Sequence, residues 1–436
     1  MRYRSWLRGS NYTDFGNSGM IPMMLRIGLD DTDHIEIGCT TKTMDDFIKY
    51  IASNLDVTVI ERRLVRLWPF ARRRTRGNGA LGAIVEINSS SFDEFVSISK
   101  VWFSQLIDTI STYPNSGLLP SPVMVISTGI VPEEWYWDAV RNEVDHKLMM
   151  DNALENKCAV LYSQTFFGVV GACAAISWNP GHYSSWELIA WRKEEAIGSP
   201  RKVSSEAVFG LEDNHKDTFL NRDPTKGKGM IAPRTPCPVL YGIRGTSEIS
   251  VSNAHYWLQE RSDVEESIVY ATHRTNQLSD DHIVSIQSGT VTSIAKETKG
   301  GHAIITVFSS GKALNLVAFN EGGPVNSLLR KLEPGDLVSW AGLTAPDGSI
   351  HLERLRLDNA TPRISSRPIC CSRTMRSAGK GQKLRCDDCG RMERKIWLCS
   401  DKLTHFGHKE GSWVEPSASN RRHLSKPLSH GNPGTI

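Results

Sequence analysis

No apolar stretch of the chain approaches the ~20 residues needed to span a bilayer, the longest candidate lying near Gly168 to Ile176. Residues 1–22 hold no apolar region of the signal-peptide kind. A helical membrane protein is thereby excluded, and a cytoplasmic location is expected. Charge of one sign is also lacking: 51 Lys and Arg against 48 Asp and Glu leave a net charge of +3 and a pI near 8.3, too mild to establish a nucleic-acid partner. No internal repeat or low-complexity tract appears. The nine cysteines are odd in number, with Cys39, Cys158, Cys173 and Cys237 scattered and Cys370, Cys371, Cys386, Cys389 and Cys399 gathered late. Scattered thiols in a cytosolic chain read as reduced core residues, and the late group reads as a metal site.

What is present is an ordinary soluble composition, 39% hydrophobic and 23% charged over 436 residues, enough for roughly three or four domains. Residues 1–22 are polar and rich in Gly, Ser and Asn; they are expected to be a disordered leader or a misassigned start, outside the fold. Leu25-Arg26-Ile27-Gly28-Leu29 then reads as a strand, followed at once by Asp30, Asp31 and Asp33 and by Gly38-Cys39-Thr40-Thr41. Carboxylates at the end of a buried strand can hold Mg²⁺, and small hydroxyl residues opening the next helix can offer backbone N–H groups and an Oγ to a phosphate. A solvated loop or helix N-cap is the alternative, since Asp and Thr are ordinary capping residues. Further on, Arg62, Arg63, Arg66, Arg72, Arg73, Arg74 and Arg76 crowd one segment against the single acid Glu61, which predicts a local basic face or, more simply, a solvated one.

Strands and helices alternate through the first part of the chain: strand 25–29, helix from about Lys42 to Leu55, strands Val57 to Leu64 and Ala80 to Ile87, helix Phe92 to Ile107, strand Val123 to Ser127. This is an α/β pattern. A second unit, from about Tyr162 to Thr275, holds the Gly-bounded apolar run Gly168 to Ile176, read as a strand, and a strand from Trp186 to Arg192. From Asp281 to Leu357 come five short strands near 290–294, 302–308, 313–319, 337–343 and 350–357, with one helix at Val325 to Leu332. They suggest a small barrel such as an OB-fold, which commonly holds single-stranded nucleic acid, with an SH3-like barrel as alternative. Cys386-Asp387-Asp388-Cys389 is a CxxC knuckle, but the upstream half reads Cys370-Cys371. Neighbouring cysteines seldom both point at one ion without a distorted backbone. Cys371 is therefore the expected third ligand, the fourth being open among Cys370, Cys399, His405 and His408, with a metal-free ribbon held by packing as the alternative.

The segments IGLDDTD, GCTT, RLWPFARRRTRGNGA, SGLL…VPEEW, FGVVGACAAI, WELIAWR, IAPRTPCPVLYGIRG, HRTNQLSDDH, MRSAGKGQKLRCDDC and EPSASNRRHLSKPL, taken in this order, resemble the archaeal 2-agmatinylcytidine synthetase family that acts on an isoleucine tRNA. The resemblance covers essentially everything after Met24. It implies a multidomain α+β protein: an α/β, ATP-using cytidine kinase-like catalytic domain at 24–160, a ferredoxin-like domain at 161–278, an OB-fold tRNA-binding β-barrel at 279–361, a zinc ribbon at 362–400 and a basic polar tail at 401–436. It also implies an ATP-dependent ligase that joins agmatine to C2 of the wobble cytidine of an isoleucine tRNA with CAU anticodon, through a phosphorylated cytidine, so that AUA codons are read. ATP, Mg²⁺ and Zn²⁺ are the implied cofactors, tRNA(Ile) and agmatine the partners, with no membrane.

By the same resemblance Asp30, Asp31 and Asp33 take Mg²⁺ and base roles, and Thr40 carries the hydroxyl that can itself become phosphorylated. Gly38, Cys39 and Thr41 belong to nucleotide binding. Arg74, Arg76, Gly77 and Asn78 occupy the family's K-T-R-G-N phosphate position; Arg74 stands where Lys is usual, which keeps the charge but exchanges a point donor for a fork. Cys371, Cys386 and Cys389 are the implied zinc ligands. Agmatine requires carboxylates or carbonyls and an apolar floor. The resemblance places its pocket near Gly168 to Ala172 and Ile231 to Gly245; the sequence does not identify the carboxylate, Asp223 being one candidate and a simple surface role its alternative. Trp186 and Trp191 are available to stack a base, core burial being the ordinary use of such aromatics. Two other readings share these motifs: a catalytically inactive tRNA-binding protein, and an ATP-dependent ligase adding another amine to RNA.

Overall fold

The computed structural model describes residues 2–4, 21–74, 77–181, 184–235, 237–267, 269–362, 364–395, 398–400 and 409–434. It divides into two units, Met1–Val284 with Arg421–His430, and Ser285–Asn420 with Gly431–Ile436. Among the described residues no helix is long and apolar enough to cross a membrane.

The first unit is built on one sheet. Its strands are β1 (Arg2–Arg4), β2 (Pro22–Asp30), β3 (Thr58–Arg66), β4 (Gly79–Asn88), β5 (Val123–Ser127), β6 (Ala159–Tyr162), β7 (Ser185–Trp191), β8 (Thr218–Phe219) and, beyond a small hairpin of β9 (Arg222–Asp223) and β10 (Lys228–Gly229), β11 (Val239–Gly245) and β12 (Val269–Thr275). The order is β1-β6-β5-β2-β4-β3-β12-β7-β11-β8. Every neighbouring pair is antiparallel except β3–β12. The α/β reading of the first part is thereby corrected to α+β. Helix α1 (Thr40–Asn54) does connect β2 to β3, but β4 inserts between them, so the crossover is split and its neighbours run antiparallel. Two leader expectations also change: Arg2–Arg4 pairs with β6, and β2 begins at Pro22. Residues 5–20 lie outside the described residues. The expected boundary at 160/161 falls inside β6, and the sheet continues through β12.

Both faces of the sheet are covered. Met124 and Ile126 of β5 join the core formed by α1 and α2 (Phe92–Ile110), with Phe47, Ile51, Phe95 and Phe103, whereas Val123 and Val125 join the core of the opposite face. Alternate residues of one strand thus serve two cores, which is why β5 reads apolar throughout. The opposite face is packed by α3 (Glu134–Arg141), α4 (His146–Glu155) and α5 (Val169–Ser177). Helix α5 is the run expected to be a strand. A helix buried on every side shows no polar period, so an apolar run of this length is ambiguous. Its small residues bring it onto bare backbone: a Cβ at Gly28 of β2 would lie 2.0 Å from the Ala172 carbonyl oxygen. Helices α6 (Ser205–Asn214) and α7 (Glu248–Gln259) cover β7 and β11 through Leu188, Leu240, Ile243, Val251 and Leu258.

In the second unit, β13 (Gln287–Val291), β15 (Ala303–Ser309), β16 (Lys312–Ala318), β17 (Leu337–Thr344) and β18 (Ile350–Asn359) close into a five-stranded barrel in the order β13-β17-β18-β16-β15, with β13 pairing β15, the short β14 (Lys296–Glu297) beside β15, and α8 (Pro324–Leu329) packed on it. Ile305, Val307, Leu316, Trp340, Leu355 and Leu357 fill it. Short strands at Ile369–Cys370, Arg373–Thr374, Arg376–Ser377, Leu384–Arg385 and Met392–Glu393 form the cysteine-bearing module. The basic polar tail expected at 401–436 is divided between the two units. Trp413–Val414 pairs with β18, while residues 421–430 belong to the first unit, where the Leu278 and Asp280 N–H groups donate to the carbonyls of His423 (3.0 Å) and Leu424 (2.9 Å).

Candidate active site and metal centre

Strand β2 delivers Asp30 at its end, and Asp31 then takes a left-handed φ of 57°, a conformation that Asp tolerates better than most side chains. Both carboxylates line a cavity of 330 Å³. Asp30 lies under the start of α5, where a Cβ at Gly171 would sit 1.9 Å from its Oδ2; the bare glycine makes room for the carboxylate. Desolvation there, followed by the charges of Asp31 and Asp33, pushes the Asp30 carboxyl well above the usual range. Desolvation likewise raises Asp31 to about 6, against the pull of Arg73, whose guanidinium reaches Asp31 Oδ2 at 3.4 Å. Adjacent desolvated carboxylates of this kind favour an added cation, a proton or a metal.

Asp33 is separate. It is buried, and its Oδ1 accepts a hydrogen bond from Thr40 Oγ1 at 3.2 Å, while Thr32 Oγ1 donates to Thr40 Oγ1 at 3.2 Å. Thr40 opens α1 behind Cys39, whose thiol contacts Thr41 Oγ1 (3.0 Å); Trp191 Nε1 donates to the same hydroxyl at 3.3 Å. Gly38 turns at φ +82° against Tyr113. None of Asp33, Gly38, Cys39, Thr40 and Thr41 lines the cavity holding Asp30 and Asp31, so the motif is divided between a cavity wall and a hydroxyl cluster behind it.

The loop between β3 and β4 forms the facing wall through Leu67, Trp68, Arg72, Arg73, Arg74 and Asn78. Gly77 (φ +76°) and Asn78 (φ +41°) turn it, and Asn78 closes its neck: Nδ2 donates to the Trp68 carbonyl at 2.7 Å and its own carbonyl accepts from Leu67 N–H at 3.0 Å. Arg74 donates to the Pro69 carbonyl. Arg76 lies outside the described residues. Three functional candidates were not assigned from sequence. Arg73 also donates to the Leu119 carbonyl (2.6 Å) and stacks 4.3 Å from the Phe167 ring, whose centroid is 4.3 Å from that of His146. Arg73 is one position from an assigned arginine; nothing local marks Phe167 or His146.

The two segments expected around agmatine part company. Gly168, Val170 and Gly171 line the cavity, but Ile231 to Gly245 contributes nothing to it. Asp223 instead accepts from Thr225 N–H (2.9 Å) and Oγ1 (2.6 Å), a turn-forming use. Trp191 is fully buried and Trp186 packs on the core of α6 and α7, so both serve packing.

In the second unit Cys370, Cys371, Cys386 and Cys389 hold their sulfurs within 4.8 Å of one another. Sγ of Cys370 lies 4.0 Å from that of Cys371 and 3.5 Å from that of Cys389. A tetrahedron with Zn–S near ~2.3 Å has edges of about 3.8 Å, so the four thiols fit zinc. The adjacent pair converges because Cys371 (φ 47°) and Ser372 (φ 62°) both take left-handed conformations, the backbone distortion that adjacent ligands need and that made Cys370 an open choice from sequence. The Arg391 backbone N–H first, then the neighbouring thiols, bring Cys389 down to about 7. The side chains of Cys399, His405 and His408 lie outside the described residues. Among those described, this is the only group of three or more ligand-type side chains that converges, so Asp30, Asp31 and Asp33 form no ready-made cage.

Residues 26–165 match the family model described as the TiaS TCKD domain, and residues 167–282 the TiaS FLD domain. Curated isoleucine-tRNA 2-agmatinylcytidine synthetases, TiaS, align over nearly the whole chain: that of Cenarchaeum symbiosum is 30% identical, covering 92% of each chain, and that of Pyrococcus horikoshii 30%, covering 93% of this chain and 97% of the relative. The crystal structure of TiaS in complex with its isoleucine tRNA and ATP superposes with a TM-score of 0.82 at 26% identity, over 95% of this chain and 99% of that one. Apo TiaS gives 0.78 at 26% identity, over 94% and 99%. Sequence likeness along the full length, agreement of fold, and a carboxylate pair facing an arginine loop together place this chain in the isoleucine-tRNA 2-agmatinylcytidine synthetase family.

Proposed function

We infer that the protein is an ATP-dependent ligase that joins agmatine to C2 of the wobble cytidine of the CAU-anticodon tRNA(Ile). The observation that carries this is the Asp30–Asp31 pair lining one cavity together with Arg72, Arg73 and Arg74, in a chain of this family. The C2 oxygen of cytosine is a poor leaving group. Transfer of a phosphoryl group from ATP to that oxygen makes it a good one; the agmatine amine then attacks C2, the C2–O bond breaks, phosphate leaves and the amine gives up a proton.

Asp30 and Asp31 would hold Mg²⁺, which when bound neutralises charge on the transferring phosphates. Their carboxyls, both raised chiefly by desolvation, fit a cation beside them. Arg73, fixed by Asp31 and the Leu119 carbonyl, presents its fork without needing to be ordered, and Arg72 and Arg74 add charge from the same loop. Asp33 is placed to take the Thr40 hydroxyl proton if that oxygen receives a phosphoryl group. Phe167, with Arg73 stacked on its ring, lines the cavity that a base flipped out of the anticodon loop would enter. We assign residues 26–165 to the kinase-like domain, 167–282 to the ferredoxin-like domain, 285–361 to an OB-fold and 362–400 to a zinc ribbon that docks the body of the tRNA.

The test is nucleoside mass spectrometry of a CAU-anticodon tRNA(Ile) transcript after incubation with protein, ATP, Mg²⁺ and agmatine. A mass gain matching agmatine, dependent on ATP, is expected. ATP turnover with a different amine incorporated, or tRNA binding with no ATP turnover at all, would overturn the assignment.

A further inference from the structure

The loop between β3 and β4 walls a second cavity, of 310 Å³. It shares Leu67, Arg74 and Asn78 with the first and is completed by Arg66, His282 and the returning segment Arg422-His423-Leu424. Among the described residues no carboxylate lines it. Beneath it lies a charge-imbalanced knot. Glu187 receives both Arg66 (3.2 Å) and Arg244 (3.4 Å), and Gln277 as well, so two guanidinium groups face one carboxylate. His423, pushed down to about 3 by burial and then by Arg66 and Arg244, adds no charge. Arg66 Nε is buried without a hydrogen-bond partner, although NH1 donates to the Gly77 carbonyl at 3.1 Å. Arg422 lies over the Phe70 ring at 4.9 Å. The segment is held there by Leu278 and Asp280, as described above, and by Lys426 N–H on Asp280 Oδ1 at 2.7 Å.

We propose that this second cavity binds a backbone phosphodiester of the tRNA, next to the nucleotide that the first cavity modifies. The proposal rests on the ligase reading for the identity of the RNA. A triphosphate is a polyanion that arrives with Mg²⁺ and suits the cavity with carboxylates; a phosphodiester carries one charge and needs only donors and positive potential, which is what an acid-free, arginine-walled cavity supplies. Arg422 and Arg66 are the principal donors, and Phe70 holds the Arg422 fork flat.

The experiment measures affinity for the CAU-anticodon transcript across a salt series, and ATP affinity separately, in Arg422→Gln, Arg422→Lys and Phe70→Leu, each with a melting curve. Arg422→Gln should weaken tRNA binding and reduce the slope of log K against log salt by about 1, with ATP affinity unchanged. Arg422→Lys should restore the slope, and Phe70→Leu should leave it near the wild-type value. An unchanged slope in Arg422→Gln overturns the proposal, as does loss of ATP affinity with tRNA binding intact, which would make the phosphate that of the nucleotide. Equal loss in all three variants would reduce Arg422 to a packing role. Methylphosphonates at the phosphates flanking the wobble cytidine supply an arm that needs no variant: wild-type binding indifferent to all of them also overturns it. Failure to form agmatinylcytidine would sink the ligase reading while leaving these binding slopes readable.

Discussion

At Asp31 stability and chemistry pull in opposite directions. Its carboxyl is raised from 3.8 to about 6 in the fold, so between those values the folded protein holds more protons than the unfolded chain and stability falls as pH rises through the window. The loss is at most about 3 kcal/mol, since each pH unit across that window is worth about 1.4 kcal/mol. Asp31→Asn should therefore melt later than wild type at pH 8 without divalent cations, converge with it near pH 4, and turn over no ATP, while tRNA affinity stays nearly intact. Calorimetry at the two pH values and an ATPase assay check this; wild-type turnover would make the DDTD segment a structural turn. Thr40→Ala should slow phosphoryl transfer by at least ~10-fold, ~1.4 kcal/mol at the transition state. Unchanged single-turnover kinetics would leave Thr40 as no more than the first residue of α1.

Among elements, the contact of α5 with β2 positions the site. The two glycines at this contact should respond differently to alanine. In Gly28→Ala the new Cβ meets the Ala172 carbonyl at 2.0 Å, backbone against backbone, and overpacking of about 1–3 kcal/mol or more should appear as a lowered melting temperature. Gly171→Ala gains helix propensity of up to ~1 kcal/mol but drives its Cβ to 1.9 Å from Asp30 Oδ2. That variant should fold, by circular dichroism, and lose ATP turnover because the carboxylate is displaced. Wild-type activity in Gly171→Ala would show that Asp30 need not lie under α5.

For the whole molecule, the chain order is not the order of the units. Ending the chain at Asn420 removes the segment 421–430 from the first unit, together with its hydrogen bonds to Leu278 and Asp280. The shortened protein should lose ATP turnover and melt earlier although every residue around Asp30 is retained. A cut after Thr275 should do more harm, since it also strands Tyr136 and Arg141, which donate to Asp281. By contrast, the double variant Cys386→Ser, Cys389→Ser should lose zinc and most tRNA affinity but keep ATP binding. Metal analysis with filter binding decides between these: full zinc in the double variant, or ATP turnover in the shortened chain, would show that the labour is divided otherwise.

Short-range features were readable before the fold. β2 ends in carboxylates because an apolar run meets the DDTD segment, α1 and α2 follow from their amphipathic spacing, and the CxxC knuckle needs only two neighbours at the right distance. Other features depend on encounters between residues distant in sequence, or on burial that erases a local pattern. Helix α5 lost its period by being covered on all sides, and β4 entered between β2 and β3, setting strand direction. Arg73, Phe167 and His146 met only after the loop had folded onto the start of α5. Cys370 joined its neighbour through two left-handed residues that no spacing rule anticipates, and Arg422 and His423 reached Arg66 from the far end of the chain. Periodicity and local chemistry act over a few residues and so are written in the sequence itself. Strand order, the division of the Asp motif and the second cavity are set by which surfaces meet, and that only the tertiary structure decided.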